Sequence, residues 1–558
     1  MLRQALHTFK RLSRRKEIVI ITTVLLFIVL ITSYISFDKE LATSIKEKLP
    51  EHIDKLKENL PEIPDLPDLP ELPDWPEVSI PKFLGGTEDF KNPQDFYKTV
   101  FKIINESNPN VPKLDKFKSD ERLPNIRFDE ETDIEYTKEY LSKFLDISEE
   151  QINKLKGSHS QVISKFPSNI PKDFYGKQQN GIIYVGGGKF NWLAMLSLKT
   201  LRNLGSRLPV EILIPTLEDY EPNLCEHEFP KLNAKCLVLP DILGQEVNSM
   251  IKIQGYQYKS LAILVSSFQN VLLLDADNIP VSIPDQIFHS NPFQESGLII
   301  WPDFWRRTTS PDYYTIANIN ITSKRIKTGV TESEKSQTGI PLHHLENSIP
   351  DPTSESGQLI INKTQHFQTM LLSLYYNVYG PDYYYPLFSQ GAMGEGDKET
   401  FLAAAVALDE PLYQMNQSLV ALGRFDSKGD FHGCSMGQFD PIQDYNKNKG
   451  NDDTDPRILF IHANFPKLDP VLIQEEKKLF DGDERIRIFG PGLTDRIGYD
   501  FEFTQWLNMK ILLCEQNLEF KLFEGKNRHE ICRELDVHLE FLDKTIDQTT
   551  NGRTLPKV

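Results

Sequence analysis

Between residues 181 and 274, short apolar runs alternate with longer stretches of helical periodicity, and that alternation leaves few folds open. Residues 182–185 (Ile-Ile-Tyr-Val) read as a buried strand and 190–204 as the helix after it. Two more strands follow at 210–214 and 236–239, then a helix at 256–268 and a fourth strand at 271–274. Strands alternating with helices are joined by right-handed crossovers, which gives an α/β fold whose mostly parallel sheet is covered by helices on both faces. Ligands of such sheets sit beyond the carboxyl ends of the strands. The fourth strand therefore matters most, because Leu272-Leu273-Leu274 runs straight into Asp275-Ala276-Asp277-Asn278.

Two aspartates one residue apart at a strand end can bind a hard divalent cation. Such a cation bridges the phosphates of a nucleotide diphosphate and neutralises the leaving group as a Lewis acid. Ordinary turn chemistry also places Asp after strands, so the position behind a buried strand is what favours the metal reading. Gly186-Gly187-Gly188 ends the first strand and opens a helix, so the backbone can approach a nucleotide there. The dinucleotide fingerprint fails because Asn191 holds the third glycine position, which argues against an NAD enzyme. Lys259 precedes an apolar helix and can pair with a phosphate, with Asp275, or with solvent.

Further along, Trp301, Asp303, Trp305, Arg306 and Arg307 follow a strand at 297–300. Indole faces suit sugar C–H groups or a core, and Asp303 can accept from sugar hydroxyls. Ser356-Gly357-Gln358 leads into a strand at 359–361, where a glycine permits close substrate approach or simply turns the chain. Gly394-Glu395-Gly396-Asp397-Lys398-Glu399 opens an apolar helix at 401–408. Its carboxylates either cap that helix or meet the acceptor hydroxyl and the transferring sugar, the roles open to Asp397 and Glu395. A strand at 458–461 ends at His462.

The N-terminus addresses the chain to a membrane. Residues 18–37 carry no charge, and at about 1.5 Å per residue they span roughly 30 Å. Six basic residues precede the run, while Asp38 and Glu40 follow it, so the short tail stays cytosolic and the body is luminal. The run is too long for a cleaved signal peptide and lacks a small-x-small site. Residues 38–60 form an amphipathic stem segment, able to self-associate or to stand as a solvated stalk. Pro61, Pro64, Pro67, Pro70, Pro73 and Pro76 then recur with the three-residue period of polyproline II, a stiff spacer.

The expected organisation is a cytosolic tail (1–17), a transmembrane signal-anchor (18–37), a stem (38–80), a helical lead-in (81–175), a catalytic domain (176–510) and a C-terminal helical extension (511–558). Sequons at Asn105, Asn320, Asn362 and Asn416 agree with a luminal, N-glycosylated body. Five cysteines leave at least one thiol unpaired within the chain, and without a C-x-x-C pair a structural zinc site is not expected. A net charge of -18 without a basic face excludes a nucleic-acid partner.

Taken in order, Gly255-Tyr256-Gln257-Tyr258-Lys259, Leu272–Asn278, Trp301-Pro302-Asp303, Ser354-Glu355-Ser356-Gly357-Gln358 and Gly396-Asp397-Lys398-Glu399-Thr400-Phe401 resemble a known family over residues 181–498. It is that of the fungal Golgi α-mannosyltransferases that build and branch mannan, specifically the α-1,2 branch-initiating group beside its α-1,3 relatives. The resemblance implies a GT-A-like fold, GDP-mannose as donor, Mn2+ as the metal, and α-1,2 transfer with retention onto mannose-rich glycans of glycoproteins. An α-1,3 enzyme of the same family and a non-catalytic luminal glycan-binding protein are the alternatives.

The resemblance also makes His462 the third metal ligand with Asp275 and Asp277, His432 being the reserve. Asp397, Glu395 and Asp303 are the catalytic candidates. Gly186, Gly187, Gly188, Lys259 and Asp275 are assigned to the donor, and Trp301, Gly357 and Gln358 to the acceptor or sugar. Expected partners are GDP-mannose, the glycan acceptor, the Golgi membrane and a further subunit through the stem.

Overall fold

The computed structural model describes residue 90 and residues 92–128, 130–168, 170–171, 174–250, 252–326 and 339–550. The chain divides into two units, Met1–Pro81 and Lys82–Val558, and every described residue lies in the second. The apolar run at 18–37 and the proline repeat thus fall outside the described residues. Among the described residues no helix is long and apolar enough to cross a membrane.

The main sheet holds seven strands: β1 (Asn180–Val185), β2 (Val210–Ile214), β3 (Ala234–Val238), β4 (Asn270–Asp275), β6 (Leu298–Arg306), β7 (Pro352–Asn362) and β8 (Tyr413–Gln414), in the order β3-β2-β1-β4-β7-β6-β8. The first four are parallel, as the alternation predicts. Beyond β4 the sheet becomes mixed, for β7 lies antiparallel to both β4 and β6 while β6 and β8 are parallel. A four-stranded antiparallel sheet stands beside it, with β5 (Asn278–Pro280), β11 (Ile458–His462), β10 (Phe431–Phe439) and β9 (Val420–Phe425) in that order.

Alternation along the strands sends Ile183, Leu213, Leu273 and Leu359 to one face of the main sheet, and Ile182, Tyr184, Leu272 and Leu274 to the other. Helices Pro93–Glu106, Glu149–Lys165, Tyr258–Val265, Phe367–Val378 and Thr400–Ala407 cover the first face. Helices Lys189–Asn203, Phe501–Lys510 and Arg528–Lys544 cover the second, together with the small sheet. The lead-in segment and the C-terminal extension therefore bury their apolar residues in the same two cores as the sheet.

Local chemistry explains the element ends. In Pro93–Glu106 the Asn92 side chain accepts from Asp95 N and proline occupies the first turn, where no amide partner is lost. Ser148 and Gln151 close a capping box on Glu149–Lys165. The short helix Lys138–Leu141 is capped by Thr137, whose side chain accepts from Tyr140 N, and Leu145 beyond it bridges to Phe117. β6 and β7 are longer than their apolar runs suggest, so Trp301, Asp303, Gly357 and Gln358 lie within strands rather than beside them. Disulfides join Cys225 to Cys236 and Cys514 to Cys532, leaving Cys434 as a buried thiol.

Candidate active site

The sheet brings two loops together at the carboxyl end of its parallel half. Val185 of β1 pairs with Asp275 of β4, so the glycine turn after β1 emerges beside the aspartates after β4. Three residues beyond Asp275, Asn278 of β5 pairs with His462 of β11, which returns a distant histidine to the same corner. Single ligand atoms of Asp275, Asp277 and His462 lie within 4.8 Å of one another. His462 Nε2 is 3.2 Å from Asp277 Oδ1 and 3.9 Å from Asp275 Oδ2.

The opposite ring nitrogen is held from behind. His462 Nδ1 lies 3.2 Å from Glu355 Oε1, and that carboxylate also accepts from Gly357 N at 2.7 Å and Gln358 Nε2 at 2.8 Å. Asn278 Nδ2 in turn donates to Gly357 O at 2.8 Å and to Gln358 Oε1 at 2.5 Å. Only glycine fits at 357, since a Cβ would stand 2.6 Å from His462 Nδ1 and 2.8 Å from Glu355 Oε1. Gly357 and Gln358 thus build the support for His462.

Charge at this corner is unbalanced in a way that suits a cation. Burial alone would raise Asp277, yet the neighbouring His462 and Lys467 hold its carboxyl well below the usual range. Burial pushes Asp275 up, with Lys259 and His462 opposing. For His462 burial favours the neutral ring, but Asp277 and Glu355 outweigh it and hold the ring protonated far above its ordinary pKa. Lys467 Nζ also closes on Asp277 Oδ2. The acidic pair has drawn a proton and an ammonium to itself, and two carboxylates with one imidazole are a fitting donor set for a hard or borderline divalent ion. Glu355 gives the histidine the outer partner that metal-bound imidazoles ordinarily have.

Beneath Asp275 sits Lys259, buried at the start of its apolar helix. Its Nζ lies 2.9 Å from Asp275 Oδ2 and 3.7 Å from Asp397 Oδ1, and donates to Ser356 O at 3.1 Å and Ser356 Oγ at 3.0 Å. Burial lifts the Asp397 carboxyl to about 6, with Lys259 opposing, and its Oδ2 is buried without a hydrogen-bond partner. Arg307 pairs with Glu399, which accepts from Ser354 N at 3.0 Å. That buried pair ties the turn carrying Asp397 to the strand carrying Glu355.

The glycine turn is as compact as its sequence suggests. Gly187 and Gly188 have φ of 93° and 52°, and a Cβ on Gly186 would meet Ile212 Cγ2 at 2.5 Å. Asn191, in the position that spoils the dinucleotide fingerprint, accepts from Gly187 N at 2.8 Å and donates to Glu221 at 2.8 Å.

Other expected residues stand elsewhere. Trp301 is fully buried, its Nε1 donating to Phe439 O at 2.9 Å and its ring packed on Phe460, so it is a core residue and presents no face to a sugar. Asp303 pairs with Lys398 Nζ at 2.5 Å and accepts from Phe304 N, which leaves it outside the metal cluster. Glu395 is exposed and accepts from Ser389 Oγ. The reserve ligand His432 pairs with Asp426 at 2.9 Å on an exposed hairpin. Asn105, Asn320 and Asn416 are exposed, whereas Asn362 is half-buried and accepts from Thr364 N and Gln365 N. Glu355 enters the sequence reading only within Ser354–Gln358, and Lys467 belongs to no motif: a carboxylate inside a strand and a lysine in a loop carry no local signal of holding a histidine or pairing with an aspartate.

Residues 179–440 match the family described as "Mannosyltransferase putative". Alpha-1,2-mannosyltransferase MNN21 of Candida albicans is 44% identical over 497 residues, which cover 81% of this chain and 75% of that protein. Alpha-1,2-mannosyltransferase MNN2 of Saccharomyces cerevisiae is 38% identical over 469 residues, 74% of this chain and 78% of the relative. Among solved structures, the galactosyltransferase LgtC in complex with donor and acceptor sugar analogs aligns at 12% identity over 43% of this chain and 73% of its own, with a TM-score of 0.24.

Proposed function

The chain belongs to the fungal α-1,2-mannosyltransferase family, and on that premise we propose that it transfers mannose from GDP-mannose to mannose residues of N-glycan outer-chain mannan, retaining the α configuration. The observation that carries this reading is the convergence of Asp275, Asp277 and His462 beside the glycine turn at the carboxyl end of the parallel strands. The sheet is read as GT-A-like, with the donor diphosphate over β1 and β4.

Asp275, Asp277 and His462 would hold the divalent metal, Mn2+ in this reading, and when bound it supplies Lewis-acid stabilisation of the departing diphosphate. The other groups act through this chain's own chemistry. Glu355 accepts from His462 Nδ1, which fixes the ring and turns Nε2 toward the aspartates. Gly186, Gly187 and Gly188 let the backbone approach the nucleotide without a Cβ in the way. Lys259 holds Asp275 in place and keeps a positive charge beneath the diphosphate. Asp397, with one oxygen lacking a partner, is placed to accept from a hydroxyl of the transferring mannose. The charge-free run at 18–37 supports a single-pass type II topology with this body in the lumen, and the family resemblance makes that lumen the Golgi's, a reading that protease accessibility from the cytosolic side would overturn.

The test is incubation of the full-length chain with a panel of sugar nucleotides and an α-mannoside acceptor, across a Mn2+ series. Mannose transfer from GDP-mannose alone, lost on chelation and giving product sensitive to an α-1,2-specific mannosidase, is expected. Metal-independent transfer, or a product resistant to that mannosidase, rejects the assignment.

A further inference from the structure

The lead-in segment builds a second opening beside the active site. A cleft of about 600 Å3 lies between residues 114–122 and residues 381–395, with Phe117, Asp120, Glu121, Arg122, Gly391 and Glu395 among its walls. One wall is the loop 391–396, whose next residue is Asp397. Met393 N donates to Asn125 Oδ1 at 2.7 Å, tying this loop to the lead-in segment, and Ser389 Oγ donates to Glu395. Cleft and catalytic turn thus share one short stretch of backbone.

The surfaces on this path are unusual for a protein exterior. Phe117 is 44% exposed, and a Cβ on Gly391 would lie 3.0 Å from its Cζ, so the tip of the ring rests on backbone while much of the residue stays open to solvent. Met393 and Tyr256 are 60% and 61% exposed, and the Tyr256 ring lies against Gly396, one residue before Asp397. Large exposed side chains therefore stand on, or against, the stretch 391–396 that joins the cleft to the turn carrying Asp397. Aromatic faces set among carboxylates suit a ligand that combines apolar C–H faces with many hydroxyl donors. The cleft walls carry four carboxylates against one guanidinium, which disfavours a phosphorylated ligand. Its volume is within the ordinary range for a small-molecule site, roughly 300–1,000 Å3.

The geometry points to this cleft as a binding subsite for the neutral oligosaccharide that carries the acceptor mannose, its remaining sugars running past Tyr256 and Met393 to stack on Phe117. This rests on the mannosyl-transfer reading above and adds where the glycan lies and why chain length matters. Sugars at Phe117 contribute to binding and not to chemistry, so a longer acceptor is held more tightly with unchanged turnover.

The test titrates the full-length chain by calorimetry, without donor, using α-linked mannotetraose and methyl α-mannoside as probes. Phe117→Ala should weaken mannotetraose roughly tenfold, as expected for an aromatic contact worth about 1.5 kcal/mol, and leave methyl α-mannoside unchanged. Asp120→Arg, on another wall, should do the same and serves if Phe117→Ala fails to fold. Undiminished mannotetraose binding in both variants, or equal losses for both sugars, overturns the subsite. Transfer assays separate the two ideas. A parent chain that binds mannotetraose in a Phe117-dependent way but transfers no mannose sinks the mannosyl-transfer reading and leaves the cleft. A parent that transfers mannose with a Phe117-independent KM for the long acceptor sinks the cleft alone.

Discussion

Glu355→Gln isolates the support of the proposed metal site from its proposed ligands. Glu355 is buried, and its carboxylate accepts from His462 Nδ1 at 3.2 Å, Gly357 N at 2.7 Å and Gln358 Nε2 at 2.8 Å. A glutamine keeps the volume and one carbonyl oxygen, enough for Gly357 N. Its new amide faces another amide, and Gln358 cannot flip to relieve this because its own oxygen already accepts from Asn278 Nδ2 at 2.5 Å. The histidine also loses a charged acceptor, and a hydrogen bond to a charged group contributes about 1.5–3 kcal/mol. Loss of such an outer partner commonly lowers metal affinity by about 10–100-fold, equivalent to about 1.4–2.7 kcal/mol. The assay is mannose transfer against Mn2+ concentration, with thermal unfolding as a check on folding. The half-saturating Mn2+ should rise by about one to two decades, while turnover at saturating Mn2+ stays near the parent value. A folded variant with an unchanged Mn2+ requirement would show that Glu355 does not orient His462 for a metal.

Asp277→Asn removes a ligand charge at constant volume and should lower turnover by about two to three decades, or about 3–4 kcal/mol; Asp285→Asn, outside the cluster, should leave it near the parent rate, and equal rates for both variants would sink the metal assignment. Lys363 donates to Ser266 O at 2.6 Å in a fully buried setting, and burial pushes its ammonium down from 10.5 to about 7. Between those two values the unfolded chain binds the extra proton, so this residue makes stability rise with pH across that window; Lys363→Met should flatten the rise in denaturant midpoint between about pH 7 and 10, and an unaltered slope refutes the assignment. The Cys514–Cys532 disulfide closes a loop with a sequence separation of 18. Opening it with Cys514→Ser should cost about 3 kcal/mol in guanidinium unfolding, and a loss well under about 1 kcal/mol would contradict the chain-entropy account.

Much of the main sheet was legible because its signals are local. Four apolar runs, each bounded by polar residues and separated by helical periodicity, specify β1 to β4 and their parallel pairing, and so the side by side emergence of the glycine turn and Asp275. The three glycines, too, announce a turn that no side chain could share. What the sequence left open depends on contacts between distant segments. β7 lies antiparallel to β4 with Leu273 opposite Leu359, and this pairing carries Glu355 and Gly357 to the corner of Asp275, Asp277 and His462. His462 arrives through its bridge to Asn278, and Lys467 through the loop after β11. Trp301 shows the converse: its indole suits a sugar as well as a core, and burial against Phe460 decided for the core. Periodicity records which face of an element is apolar, whereas which polar groups share a corner is set by strand order and register, and these are determined only when the whole sheet assembles.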